Sequence, residues 1–228
     1  MDDDRLDWVR AAHDAIAQRA GALSDAELAQ PSLLPGWSRA HVLAHIARNA
    51  DGLRNLVRWA ETGVETPMYE SFDSRAADIE HSAAQPPADL RLDVVQAAAA
   101  LVGALEGLAD DAAATVVRAL RGDPFPARDL PWVRAREAWV HLVDLDAGVG
   151  FDDVPPAVRD GLLDEAVERA PGRGVDHGFV LEEDGTGRRW VLGPEDPSTT
   201  VRGTQADLLG WLTGRTPPGE RPPPPEWP

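Results

Sequence analysis

One long helical segment constrains the fold of this chain more than any other feature of its sequence. The turn Pro35-Gly36 comes before it, Ser38 is placed to cap its first turn, and Gly63 is placed to end it. The helix between these limits has roughly 24 residues, which is long enough to run the length of a helical bundle. We therefore expect it to pack lengthwise against other long helices.

Three further segments have the pattern of long helices, and a shorter one lies between them. The first long segment places Leu6, Val9, Ile16 and Ala20 on one face, and Ser24 after it is placed to cap another turn. The predicted long helices cover about 5–23, 88–108 and 127–147, and the shorter helix covers about 74–84. The sequence therefore predicts a four-helix bundle over residues 1–150.

The pattern changes after Gly148, where short strands appear. A helix with proline near its start and glycine after its end comes first. Two apolar runs then flank Glu-Asp-Gly-Thr-Gly at 183–187, which is typical of a hairpin, and a third strand near 199–202 precedes a last helix over 205–212. We expect an α+β protein overall, with a small α+β domain over 151–216 and an extended or disordered proline-rich tail over 217–228.

Net charge excludes several kinds of partner. The chain has 22 basic and 39 acidic residues and a net charge of -17, so we expect it to bind neither nucleic acid nor an anionic membrane surface. It has no apolar run of the ~20 residues that a membrane span needs, and its acidic start is unlike a signal peptide. We therefore expect a cytoplasmic protein, in which a small anionic substrate requires a local arginine.

Two residue types are missing, and each absence removes a class of chemistry. Without cysteine the chain has no disulfide, no thiolate metal ligand and no cysteine nucleophile of its own. Without lysine it has neither Schiff-base chemistry nor a P-loop, and all 22 basic residues are arginine. The alanine, glycine, proline and aspartate content is typical of GC-rich coding sequences, as in actinobacteria.

Two pairs of residues have the spacing of metal ligands on helices. His41 and His45 lie four residues apart on the second long helix, and Glu137 and His141 have the same spacing on the fourth. Facing helices of a bundle bring such side chains to one interior point, and imidazole with carboxylate suits zinc or a similar divalent ion. The spacing alone equally fits a helix-surface salt bridge or a buried histidine with structural hydrogen bonds.

Three motifs together resemble the mycothiol-dependent maleylpyruvate isomerase family. They are LPGWSRAHVLAHIARNADGL, then about ninety residues later VRAREAWVHLVDLDAG, and finally ADLLGWLTGR, which ends at Arg215. The resemblance implies a DinB-like four-helix metal-binding domain followed by a small sterol-carrier-like α+β domain. It covers nearly the whole chain up to Arg215.

The resemblance also implies a ligand set and a cosubstrate. The family binds one divalent ion, usually zinc, and its motif positions correspond here to His45, Glu137 and His141, which leaves His41 a supporting or structural role. The remaining coordination position takes the thiolate of mycothiol, the low-molecular-weight thiol of actinobacteria. A metal-bound thiol is deprotonated, and the thiolate is the nucleophile. External sulfur of this kind is consistent with a chain that has no cysteine.

The resemblance suggests further residues around the site. Arg215 is similar to an arginine that the family uses near its active site, and its fork of donors suits a carboxylate. Asn49 and Arg48 follow His45 by about one turn, and we expect them to contact the cosubstrate. Asp144 is placed either to orient His141 or to cap its own helix.

Arg134 and Arg136 flank the second motif, and they are either part of the same site or simply solvated.

We therefore expect an enzyme that uses mycothiol, a metal ion and a small electrophilic or anionic substrate. The family reaction is the cis-trans isomerisation of maleylpyruvate to fumarylpyruvate, and S-transfer to another electrophile uses the same site. The alternative is a non-catalytic module that binds a metal or an apolar ligand, since the second domain is sterol-carrier-like.

Overall fold

The structure, a computed structural model, describes residues 3–120, 124–169, 178–193, 197 and 199–224. The chain forms two compact units, Met1–Ala147 and Gly148–Pro228. Helices dominate the first unit and a small sheet with helices forms the second, so the predicted α+β fold class is confirmed.

The first unit is built around four long helices. Of these, α3 packs against α5 and α7, and α1 packs against the same two helices. Shorter helices and a two-stranded antiparallel sheet connect them. In chain order the elements are α1 (Asp3–Ala22), α2 (Asp25–Leu28), α3 (Arg39–Thr62), α4 (Phe72–Ala83), α5 (Pro87–Gly107), α6 (Asp110–Ala113), β1 (Val116–Val117), β2 (Phe125–Pro126) and α7 (Leu130–Asp144).

The predicted limits of α3 are confirmed by its caps. The Ser38 hydroxyl accepts a hydrogen bond from the backbone N–H of His41, and Gly63 ends the helix with a φ of 68°, where glycine is favoured. The helix is therefore fixed at both ends by local interactions. The helix is central to the unit, because the six consecutive residues 42–47, His45 among them, are buried and cover its whole circumference.

Helix α7 is shorter than the 127–147 that the sequence predicted. A 3-10 turn over Ala127–Asp129 precedes it, and Pro131 occupies its first turn, where proline is tolerated. At its other end Asp146 has a φ of 50°, which is outside helical geometry. The helix therefore ends at Asp144, within the second motif and one turn after His141.

A buried polar network links three helices of the first unit. Arg134 on α7 is 1% exposed, and its Nε donates to Nε2 of His13 on α1 at 2.9 Å. Its Nη1 donates to Oδ1 of Asn49 at 2.8 Å and to the carbonyl of Ile46 at 3.0 Å, both on α3. Because a guanidinium only donates, His13 must be neutral to accept, and burial lowers the pKa of His13 to about 3.

The described residues of the second unit form a three-stranded sheet with two α-helices. Strand β3 is central, pairs antiparallel with β4 in the predicted hairpin, and pairs parallel with β5 on its other edge. Residues 215–224 form no helix or strand, but Trp211 Nε1 donates to the carbonyl of Pro222 at 2.7 Å. Residues 225–228 of the predicted tail lie outside the described residues. The elements are α8 (Pro156–Arg169), β3 (Phe179–Glu183), β4 (Arg189–Leu192), β5 (Thr199–Gly203) and α9 (Gln205–Leu212).

No helix among the described residues combines the length and apolar character needed to cross a membrane. The cytoplasmic location expected from the sequence stays a prediction.

The His13 contact predicts how stability depends on pH. Unfolded chain takes up a proton on His13 below its ordinary pKa of 6.5, whereas the folded chain resists protonation until about pH 3. This group therefore contributes full stability above pH 6.5 and loses it as the pH falls towards 3. The loss is about 2 kcal/mol at pH 5 relative to pH 7.

Replacing His13 by glutamine keeps an acceptor for Arg134 and removes the titrating ring. We measure the free energy of unfolding by urea denaturation at pH 7 and pH 5. Between these two values of pH, wild type should lose about 2 kcal/mol more than His13→Gln. His81→Gln, at an exposed position on α4, is the matched control. Parallel pH profiles for wild type and His13→Gln would contradict the assignment.

Candidate metal centre and active site

The inner faces of α3 and α7 bring three potential metal ligands together. His45 on α3 meets Glu137 and His141 on α7, and one ligand atom from each lies within 4.8 Å of the others. The Nε2 atoms of the two histidines are 2.9 Å apart. Oε2 of Glu137 lies 3.7 Å from Nε2 of His45 and 3.6 Å from Nε2 of His141. These three side chains together are called the cluster.

Local structure explains why these side chains meet. Glu137 and His141 are four residues apart on α7 and therefore share one face. Their helix packs against α3, and the side chain of His45 is only 4% exposed. The cluster is thus held by helices rather than by loops, which keeps its geometry fixed.

Asp144 fixes the orientation of His141. Its Oδ2 accepts a hydrogen bond from Nδ1 of His141 at 2.8 Å, and the Asp144 side chain is 0% exposed. A carboxylate on Nδ1 holds the proton there, so that Nε2 of neutral His141 keeps its lone pair for the cluster. Of the two roles considered from the sequence, the structure shows the orienting contact.

The electrostatics of the cluster favour metal-binding protonation states for two of its members. Burial lowers the pKa of His45 to about 4, so its ring is neutral at pH 7. Burial alone raises the pKa of Glu137, but the nearby imidazoles of His141 and His45 and the guanidinium of Arg136 outweigh it and hold that pKa well below the usual range. Burial by itself lowers the pKa of His141, yet the hydrogen bond to Asp144 and the negative charge of Glu137 outweigh burial and raise that pKa.

A ligand set of two imidazoles and one carboxylate fits a divalent ion. This donor set suits zinc, and three protein ligands leave a coordination position for another molecule. The hydrogen bond on Nδ1 of His141 is the outer contact that such ligands normally have. The residues present therefore fit the metal site that the resemblance implies.

Arg75 contacts the cluster, although sequence reasoning did not single it out. Its Nη2 lies 3.1 Å from Nδ1 of His45, and its guanidinium carbon lies 5.9 Å from the ring centroid of Tyr69. Arg75 is on the short helix α4, 30 residues from His45, and no spacing rule links the two. Only tertiary packing of α3 against α4 brings them together.

Tyr69 is a second residue near the site that the sequence did not indicate. Its ring lies against α3, where a Cβ at Gly52 would come within 3.2 Å of Tyr69 Cζ. Within the part of the chain that the structure describes, its buried hydroxyl has no hydrogen-bond partner. Burial raises the pKa of Tyr69 to about 12, so the hydroxyl remains a donor at neutral pH.

His41 lies outside the cluster and caps α3. The Ser38 backbone N–H donates to its Nδ1 at 3.3 Å, and its Nε2 is 3.3 Å from Oε2 of Glu80. Its ring also stacks on Trp37. Of the two roles expected for His41, these contacts fit the structural one.

The four polar residues expected around the cluster already have partners. Arg48 Nη2 pairs with Asp93 at 2.6 Å, and Asn49 accepts from the buried Arg134. Arg136 Nη2 pairs with Glu137 at 3.2 Å, so it touches the cluster directly. Arg134 is buried rather than solvated. Cosubstrate contacts of Arg48 and Asn49 stay predictions.

Arg215 belongs to the second unit and follows α9. Its backbone N–H donates to the carbonyl of Gly210 at 2.9 Å, and its Nη1 donates to the carbonyl of Thr213 at 2.8 Å. The residue is half-buried. Its expected role near the active site stays a prediction.

Family models match both units of the chain. The mycothiol maleylpyruvate isomerase N-terminal domain matches residues 9–146, and the MDMPI C-terminal domain matches residues 153–222. A search of curated protein sequences gives no match.

Two solved structures are similar over almost the full chain. One is the crystal structure of the mycothiol-dependent maleylpyruvate isomerase, with 33% sequence identity and a TM-score of 0.93. The other is a histidine-to-alanine mutant of a mycothiol-dependent maleylpyruvate isomerase, with 32% identity and a TM-score of 0.93. Each match covers 99% of this chain and 96% of the other.

The resemblance stated from the sequence motifs is therefore confirmed. Because both family models match and the similarity extends over nearly the whole chain, this protein belongs to the mycothiol-dependent maleylpyruvate isomerase family of enzymes.

Proposed function

We propose that this enzyme uses mycothiol for the cis-trans isomerisation of maleylpyruvate or for S-transfer to a related small electrophile. In this proposal a divalent ion, with zinc as the first choice, is held by His45, Glu137 and His141. The convergence of these three side chains within 4.8 Å is the observation that carries it. Membership of the family gives the reaction class.

The residues of the cluster have distinct tasks in holding the ion. Asp144 keeps the proton of His141 on Nδ1, which leaves Nε2 as the ligand atom. Glu137 is ionised and supplies negative charge between the two rings. When bound, a divalent ion supplies the positive charge that keeps a thiol deprotonated near neutral pH.

The isomerisation needs a nucleophile that adds and then leaves. A thiolate adds to a carbon of the cis double bond, and the displaced electron pair moves onto the conjugated carbonyl. Rotation about the new single bond follows, and return of the electron pair expels the thiolate and forms the trans double bond. No atoms are gained or lost, and the chain itself has no cysteine to supply the sulfur.

An anionic substrate also needs cations, because the chain has a net charge of -17. We assign Arg215 to binding a substrate carboxylate, since a guanidinium fork matches a carboxylate well. Arg48 and Asn49 are proposed contacts for mycothiol.

Removing a ligand tests the metal centre and the function together. We expect wild type purified without chelator to carry about one zinc per chain. We expect Glu137→Ala and His45→Ala to lose most of the metal and the mycothiol-dependent formation of fumarylpyruvate. Metal content is measured by atomic emission and turnover by absorbance.

His81→Ala is the matched control, because His81 is exposed and lies outside the cluster. Variants that keep full zinc would contradict the ligand assignment. Wild type that binds zinc but turns over no electrophile with mycothiol would favour the non-catalytic binding module.

Asp144→Asn tests the orienting contact on His141. The neutral amide is a weaker acceptor for Nδ1–H, so we expect zinc affinity to fall by about tenfold or more. Competition with a fluorescent chelator measures the Kd. Asp146→Asn, more exposed and two residues further on, is the control, and equal Kd values for both variants would contradict the role of Asp144.

Arg215→Gln tests the proposed substrate contact in the second unit. Loss of a charge-assisted hydrogen bond to a carboxylate should lower kcat/KM for maleylpyruvate by about tenfold or more. Zinc content should remain that of wild type. Arg202→Gln, on an exposed residue of β5, is the control, and unchanged kinetics in Arg215→Gln would contradict the assignment.

A further inference from the structure

Arg134 joins the two helices that carry the cluster, within about one turn of a cluster residue on each. On α7 it precedes Glu137 by three residues, so the two side chains leave the same side of the helix. Across the interface its Nη1 donates to the carbonyl of Ile46 at 3.0 Å and to Oδ1 of Asn49 at 2.8 Å. Ile46 directly follows His45 on α3, and Asn49 lies one turn after it. The guanidinium therefore ties α7 to α3 beside the cluster.

A third helix holds the same guanidinium. Its Nε donates to Nε2 of His13 on α1 at 2.9 Å. Arg134 is 1% exposed and its side-chain acceptors His13 and Asn49 are also buried, so bulk water does not compete for these bonds. A rigid planar group that is bonded to two other helices restricts both sliding and rotation of α7.

Stability alone does not account for an arginine at this position. Among the described residues its Nη2 has no hydrogen-bond partner, and the acceptors of its other nitrogens are neutral. Burial lowers the pKa of Arg134 to about 10, so the guanidinium is still charged at neutral pH. A buried charge with neutral partners costs free energy that an apolar side chain of similar size would not.

The charge of Arg134 does not favour a metal ion either. Its positive charge and the negative charge of Glu137 act on each other, and a cation close to a metal ligand weakens the binding of a second cation. What its hydrogen bonds supply is direction, which apolar packing lacks. Distances between a metal ion and its ligands tolerate deviations of only about 0.2 Å, so a site shared by two helices needs such a constraint.

We propose that Arg134 is a positioning residue for the metal centre. By bonding to Ile46 and Asn49 it sets the distance between Glu137 on α7 and His45 on α3, and thereby the affinity for the ion. The inference rests on the metal centre of the proposed function and not on the reaction. It gives Asn49 a task inside the bundle, besides its proposed contact with mycothiol.

Zinc affinity tests the proposal, because position and charge predict changes of opposite sign. Arg134→Met removes a cation, which by itself would tighten zinc binding. We expect the zinc Kd of this variant to be about tenfold higher than that of wild type or more, measured by competition with a fluorescent chelator. Arg134→Lys keeps the charge but lacks the planar fork, and it should also bind zinc more weakly than wild type.

Arg91→Met is the matched control, because Arg91 also links helices through all its nitrogens. It donates to the carbonyls of Ala20 and Leu23 and to the carboxylate of Asp25, none of which lies on α3 or α7. The free energy of unfolding of both methionine variants is measured by urea denaturation. We expect Arg91→Met to bind zinc like wild type even where its stability is lowered, whereas a purely structural role of Arg134 would give the same result for Arg134→Met.

Cobalt(II) gives a second readout, because its visible absorption depends on the geometry of its ligands. We expect the spectrum of the cobalt-loaded protein to be altered in Arg134→Met and to be that of wild type in Arg91→Met. Unaltered spectra in both variants would contradict the positioning role.

Asn49→Leu removes the side-chain acceptor on α3 and leaves Arg134 in place, so it keeps the test available if Arg134→Met does not fold. We expect it to raise the zinc Kd as well. If both residues act through their shared hydrogen bond, the double variant binds zinc no more weakly than the weaker of the two single variants. Additive losses of affinity would contradict that coupling.

The outcomes separate this inference from the proposed function. A zinc Kd that is unchanged or lower in Arg134→Met, with zinc bound by wild type, overturns the positioning role and leaves the metal centre intact. Equal weakening of zinc binding by Arg91→Met also overturns it, since general loss of stability is then the cause. Absence of zinc from wild type overturns the metal centre of the proposed function and the inference with it.

Discussion

Two contacts between α3 and α7 set the register on which the site depends. The first contact joins His45 on α3 to His141 on α7. The second joins Asn49, one turn after His45, to Arg134, about two turns before His141. The residue numbers rise along one helix as they fall along the other, so the two inner faces run in opposite directions. This pairing places Glu137 beside both imidazoles, and a small rotation of either helix would separate them.

The polar interior of the helical unit is unusual for a bundle and is consistent with a site rather than with packing alone. Arg134 is a fully buried cation whose contacts within the described residues are neutral groups, and burial lowers its pKa to about 10. Burying such a group costs free energy that apolar residues would not. The negative charge of Glu137, about one turn further along α7 and 24% exposed, partly opposes this lowering of the Arg134 pKa.

The chemistry that this chain lacks is as informative as the chemistry it has. It has imidazole, carboxylate and guanidinium groups around one interior point, but no thiol anywhere in its sequence. An enzyme of a thiol-dependent family with this composition must take its sulfur from a cosubstrate. The arginines of such an enzyme have two roles. They offset part of its acidic charge, and they bind anionic groups that the net charge of -17 would otherwise repel.

Sequence alone predicted the long helices, the limits of α3 and the shared helix face of Glu137 and His141, whereas it placed both ends of α7 too far out. Caps such as Ser38 and Gly63 act over one turn, so they could be recognised from a few residues. The four-residue spacing of Glu137 and His141 follows in the same way from helical periodicity. Family motifs added the expected domain types and the choice of His45 over His41, which spacing left open.

Only the tertiary structure decided which distant groups meet. It separated His41, which caps its helix, from His45, which faces α7, and it paired Arg48 with Asp93 on α5. It also brought Arg75 to His45, a contact for which no local pattern exists. The physical reason is that periodicity fixes the face on which a side chain lies, whereas packing between helices fixes what that face meets.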